Sequence, residues 1–234
     1  MEPLNHQMMG YDRAVSMFSP DGRLLQVEYA KKTVKQGSTT IGIVCKDAVV
    51  LVAEKKHRSS LIIPESIDKI YEIDSHMAAS FAGITSDARI LMERAQVKAQ
   101  QHKMSYDSSV DSIAIVKDIS DLKQYTTQSG GIRPFGVALL LAGWDTDGPK
   151  LYMTDPTGIY FRYKAVAIGE YDDKCEELLT QEYKEDMSVE NALKLGISIL
   201  KRVSEEFDAK KIDCAYIEKG EFTRVSKDKL AKLV

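Results

Sequence analysis

The run Asp145-Thr146-Asp147-Gly148 places two carboxylates two residues apart ahead of a glycine, as in the opening of a calcium-binding loop. Such a loop closes with a bidentate acid at its twelfth position, where this chain has Pro156, so the residues read instead as a hairpin turn. Lys55-Lys56-His57-Arg58 concentrates positive charge that could hold a phosphate. No aromatic residue interleaves it and the whole chain is acidic, which favours a solvated strand end. His6, His57, His76 and His102 lack metal-ligand spacing and cysteine neighbours, and read as packing or surface residues. Ser129-Gly130-Gly131 lacks the Lys-Ser/Thr of a phosphate loop and reads as a connection. Cys45, Cys175 and Cys214 form no C-x-x-C pair and leave an odd count, as expected of reduced core thiols. No metal or cofactor is therefore expected.

Any chemistry must then come from how larger elements are arranged. The 234 residues, 44% of them hydrophobic, fit one large domain with a substantial core. The net charge of -3, with both signs interspersed, gives no pull toward nucleic acid or acidic lipid. No apolar run approaches the roughly 18 residues of a membrane helix, and residues 1–20 lack the basic-then-apolar order of a signal peptide. A cytoplasmic protein is expected.

Residues 39–45 and 48–53 are short β-rich runs joined by Lys46-Asp47, the spacing of a tight hairpin. Both are almost continuously apolar, as in strands covered on both faces. Tyr71 to Ile73 and Met77 to Ala82 repeat the pattern. Ile84, Ala88, Leu91, Met92, Ala95 and Ala99 then switch to helical spacing, with a second helix expected from about Ser105 to Tyr125. Strands are expected at Phe135 to Trp144, Leu151 to Thr154, Ile159 to Tyr160 and Tyr163 to Ile168, with 145–149 as one connection. Helices follow around Asp172 to Tyr183 and from Val189 to Phe207 with Ser188 as N-cap, before a last hairpin of Ile212 to Glu218 and Phe222 to Val225. Strands, two helices, strands, two helices, strands: the order suggests two stacked sheets between helix layers.

Ahead of the first strand stands a more specific device. Ser19-Pro20-Asp21-Gly22 has type I turn composition, and Leu24, Val27, Ala30 and Val34 give a short helix with one apolar stripe. Gly37, able to take positive φ, suits the helix exit.

That block, Tyr11-Asp12-Arg13-Ala14 through Phe18 to Ala30, resembles the signature of the proteasome α-subunit family. Gly37-Ser38-Thr39, Ser66 to Ile70, Phe81 to Arg89 and Gly130 to Gly136 extend the resemblance over essentially the whole chain, and the lack of long charged C-terminal tails resembles the archaeal type. The resemblance implies an α+β fold, the four-layer αββα sandwich of the N-terminal-nucleophile hydrolases with an extra N-terminal helix. It implies one domain over 1–234, with a mobile gate segment at 1–12, the N-terminal helix at 20–36 and the sandwich at 38–234.

Catalytic relatives of this fold use a free N-terminal threonine activated by a lysine and a carboxylate. The resemblance puts Ser38 and Lys69 at the first two positions, but 37 residues precede Ser38 and make its nitrogen an amide. Lys55 stands at the carboxylate position, and Glu54 would point to the opposite face of its strand. A non-catalytic subunit is implied, the alternative being a peptidase released by cleavage before Ser38. The resemblance further implies a seven-membered ring with other α subunits, contact with proteasome β subunits, docking of an activating ATPase, and unfolded proteins as substrates. Tyr11, Asp12, Pro20 and Tyr29 match a gate-organising cluster, and residues 1–10 the plug. Lys69, with Gly37 and Gly83, matches a pocket that takes an activator's C-terminal carboxylate and penultimate aromatic residue. Lys31 departs from the pattern, since many relatives carry Arg there and Lys lacks the bidentate geometry of a guanidinium.

Overall fold

The structure, a computed structural model of the chain, describes residues 10–56, 61–63, 66–205 and 207–233. Helix α1 (Leu25–Lys35) buries Val27, Ala30 and Val34, the stripe expected from spacing. It starts later than residue 20 because 19–23 closes on itself first: the Gly22 amide donates to Ser19 O, and the Arg23 amide to Ser19 Oγ.

Two five-stranded antiparallel sheets follow. The first holds β1 (Thr40–Val44), β2 (Ala48–Glu54), β8 (Ala165–Ile168), β9 (Ile212–Glu218) and β10 (Glu221–Arg224), in the order β10-β9-β2-β1-β8. The second runs in sequence order through β3 (Ile70–Asp74), β4 (Met77–Gly83), β5 (Val137–Asp145), β6 (Gly148–Thr154) and β7 (Tyr160–Arg162). Helices α2 (Thr85–Tyr106) and α3 (Ser112–Gln128) cover the second sheet, and α4 (Asp172–Glu182) and α5 (Val189–Val203) cover the first.

Side chains divide by strand parity, which is why the strands read as unbroken apolar runs. Ala48, Val50 and Val52 face α4 and α5, while Val49, Leu51 and Ala53 face the other sheet. Val137, Leu139 and Leu141 face the helices, while Ala138, Leu140 and Ala142 fill the space between sheets. Three cores thus separate four layers.

Several expectations need correction. The second helix begins at Ser112, not Ser105: α2 runs on to Tyr106 and ends in a left-handed Asp107 (φ 52°). The start of α3 is fixed from afar, since Asp145 Oδ1 accepts both the Ser112 amide (2.9 Å) and its hydroxyl (2.7 Å). Strand β6 begins at Gly148, so the β5–β6 connection is only Thr146-Asp147. Helix α5 stops at Val203, and Phe207 lies beyond it. A short helix α6 (Lys227–Leu233), not expected from the sequence, seats Leu230 on the first sheet's outer core. Its signal was present in Ser226, whose hydroxyl accepts the Lys229 amide. Gly37 does not take positive φ: α1 exits through Gln36 in right-handed geometry, and glycine is required at 37 for a different reason given below.

Candidate functional site

The last three residues of β4, Phe81-Ala82-Gly83, are where separate sequence motifs meet. A side-chain carbon added to Gly37 would lie 2.2 Å from the Gly83 amide nitrogen and 3.0 Å from the Ala82 carbonyl carbon. Gly83, at φ +118°, in turn leaves no room against Gly136, whose carbonyl oxygen would be 2.2 Å from such a carbon. Only a residue without Cβ permits either approach. Thr33 on α1 completes the layer by donating its hydroxyl to Gly136 O (2.8 Å).

Asp87, in the first turn of α2, fastens this layer from the side. Its carboxylate takes two bonds from the Arg133 guanidinium (2.6 and 2.7 Å) and one from the Gly136 amide (2.9 Å). Burial alone would push this carboxyl up, yet the hydrogen bonds from Arg133 and Gly136 hold it below the usual carboxylate range. The motifs at 81–89 and 130–136 are therefore two halves of one clasp.

Lys69 precedes β3 and is 5% exposed. Its ammonium donates to Phe81 O (2.8 Å) and sits 4.0 Å from the Phe81 ring centroid, while Lys69 O accepts the Ser80 hydroxyl (2.7 Å). Desolvation brings the ammonium down from 10.5 to about 7, against a partial upward pull from Glu54. Lys69, Gly37 and Gly83 thus converge on the end of β4. Its burial is what sequence reasoning missed: a lysine before a strand gives no local sign that its stem will be enclosed.

Ser38 is partly exposed and remains within the chain, where the preceding Gly37 carbonyl accepts the Glu170 amide (2.9 Å) and Thr39 Oγ1 accepts the Tyr171 amide (3.3 Å). Lys55 is engaged with Asp213 (3.4 Å), and the buried Glu54 takes the Ser204 hydroxyl (3.1 Å) on the helix side of the sheet.

Of the gate residues, Pro20 holds the second position of the turn and Tyr29 is half-buried on α1 with the Lys32 ammonium over its ring. Tyr11 and Asp12 precede the turn, and Gln26 of α1 donates to Asp12 O. Residues 1–9, most of the expected plug, lie outside the described residues, as do His57 and Arg58. Lys31 lies 3.8 Å from Asp155 Oδ2 and 4.0 Å from Glu28.

The remaining candidates resolve as structure. Asp147 pairs with Lys150 across the hairpin turn, Lys56 pairs with Glu170, and buried His76 bonds Val110 O (2.8 Å). All three cysteines are buried and free. Among the described residues no group of three or more potential metal ligands assembles, and no helix is long and apolar enough to cross a membrane.

A family model described as proteasome subunit matches residues 34–217, and a second, described as the N-terminal signature of A-type proteasome subunits, matches residues 11–32. A proteasome alpha subunit of Pyrococcus abyssi is 48% identical over 227 residues, covering 96% of this chain and 87% of the relative. Proteins of the same name from Methanopyrus kandleri (46% over 224 residues, 95% and 91%) and Archaeoglobus fulgidus (44% over 229 residues, 97% and 93%) align over similar spans. The chain belongs to the proteasome subunit family, and within it to the α type.

Proposed function

We propose that the chain forms a seven-membered ring at the end of a proteasome core particle, closes its axial entrance and receives an activating ATPase, while peptide hydrolysis resides in partner β subunits. The observation that carries this reading is the convergence of Lys69, Gly37 and Gly83 on the end of β4, where the buried Lys69 ammonium donates to the Phe81 carbonyl; a docking carboxylate would be its charge partner. An ammonium has three N–H donors, and the Phe81 carbonyl takes one of them. Assembly is supported by Ile90, Val97 and Met104, which recur every seven residues along α2 and lie exposed at 46%, 56% and 87%. A hydrolytic role for Ser38 is opposed by its amide nitrogen.

Tyr11, Asp12, Pro20 and Tyr29 would organise the entrance between neighbouring copies, with the residues ahead of the turn as the obstruction and unfolded chains as the material admitted. The test is co-expression with a proteasome β subunit, followed by imaging and casein degradation. Seven-fold barrels that degrade casein faster after removal of residues 1–11 are expected. Equal casein turnover by full-length and truncated barrels would exclude the gating role, and failure to form barrels would exclude the ring.

A further inference from the structure

Lys69 is bracketed by one guanidinium. Arg224 on β10 donates through Nη1 to Asp68 Oδ1 (2.9 Å) and through Nη2 to Ile70 O (2.6 Å), gripping the residues on either side of Lys69. The same Nη1 lies 3.6 Å from Oδ2 of Asp213, a buried carboxylate oxygen with no hydrogen-bond partner among the described residues, and Lys55 lies 3.4 Å from the same oxygen. Strand β10 ends one sheet and β3 the other, so Arg224 ties two sheet edges together. A second tie, from the Phe222 amide to Ser75 O (2.8 Å), keeps β10 seated at the far end of β3.

We propose that Arg224 is a positioning residue for Lys69, holding the 68–70 backbone where the buried ammonium meets an incoming C-terminal carboxylate. The inference rests on the docking role proposed above. The pair with Asp68 is half exposed, at 42% and 49%, and by itself contributes little. What Arg224 adds is geometry: two nitrogens fixed in one plane hold a side-chain and a main-chain acceptor in a set arrangement, which the single nitrogen of a lysine on its flexible stem does not impose. Without it the Asp68–Lys69 segment rests on its ties to β4, from the Ser80 hydroxyl to Lys69 O and from the Lys69 ammonium to Phe81 O, and the ammonium is held less firmly beside Phe81. Sequence alone does not suggest the link, since 154 residues separate Arg224 from Ile70.

The experiment uses barrels assembled with β subunits, and two probes: a short peptide with a penultimate tyrosine and a free C-terminal carboxylate, and the same peptide amidated at its C-terminus. Wild type is expected to prefer the carboxylate form. In Arg224→Gln the affinity for that form is expected to fall about tenfold, the worth of one charge-assisted contact, with little change for the amide. The pH above which the carboxylate preference fades should also rise, because a loosened Lys69 is better solvated. Arg224→Lys, which keeps a cation near Asp213, should fall between the two and serves if the Gln variant does not assemble. Unchanged preference and midpoint in Arg224→Gln, alongside lost preference in Lys69→Ala, would overturn the positioning role and leave the docking role standing. Equal weakening of both peptides would reduce Arg224 to a structural residue. Preference retained in Lys69→Ala would overturn the docking role itself.

Discussion

Gly37 and Gly83, 46 positions apart in the chain, meet backbone to backbone, so closely that a methyl group on the first would stand 2.2 Å from the amide nitrogen of the second. The contact joins the exit of α1 to the end of β4 and so sets how the N-terminal helix sits on the second sheet. The obstructing atoms are backbone and cannot rotate away.

Gly37→Ala and Gly83→Ala are each expected to destabilise the isolated chain by roughly 1–3 kcal/mol or more through overpacking. Gly83→Ala carries an added cost from its φ of +118°. Urea denaturation would measure both, and a loss below about 0.5 kcal/mol at either site would contradict the close approach.

Ser38→Ala should leave peptide hydrolysis by the assembled particle unchanged, and the purified chain alone should cleave no fluorogenic peptide. The Ser38 nitrogen is an amide, and Lys55, which the family resemblance puts at the carboxylate position, pairs with Asp213. Intact mass provides the second check: loss of the first 37 residues, together with activity abolished in Ser38→Ala, would establish the peptidase alternative.

Lys69→Ala barrels should show no stimulation by an activating ATPase or by a peptide bearing its C-terminus. Charge-assisted bonds contribute about 1.5–3 kcal/mol, so each contact should weaken by roughly ten- to a hundredfold, and several contacts at once multiply the loss. Docking should also depend on pH in a fixed direction. A carboxylate ligand needs the charged form, and the ammonium of the free site is lowered to about 7, so affinity should hold below that value and decline above it. Titrating peptide binding from pH 6 to 9 is the measurement, and a flat profile would argue against Lys69 as the charge partner.

Lys123 is fully buried on α3, its ammonium bonded to Val137 O (3.1 Å) and Thr154 O (3.2 Å). Desolvation brings it from 10.5 to about 7, with Asp155 pulling weakly the other way. Between those values the unfolded chain binds the proton that the folded chain has released, so stability should rise with pH and fall again as pH drops toward 7. Lys69 acts in the same direction. Lys123→Met, which keeps the stem but removes the titrating group, should flatten part of that slope, on the order of a few kcal/mol across the range. Denaturation at pH 7, 8 and 9 tests it: identical slopes in the two proteins would remove Lys123 from the account.

Much of this architecture was legible in the chain itself. The parity of Val49 to Ala53 and of Val137 to Ala142, apolar at every position, required cover on both faces, and the order of strands and helices then required two sheets between two helix layers. The turn at Ser19 and the stripe on α1 were likewise local, because period and turn chemistry involve residues within one or two turns of each other. Only the tertiary structure decided the rest. It closed Asp87 on Arg133, used Asp145 to start α3, buried Lys69 against Phe81 and let Arg224 hold its neighbours. It also gave Gly37 its purpose, a close approach to Gly83 in place of a left-handed turn. Each of these contacts joins residues 12 to 154 positions apart, and their energies come from desolvation and hydrogen-bond geometry that exist only once the layers have stacked.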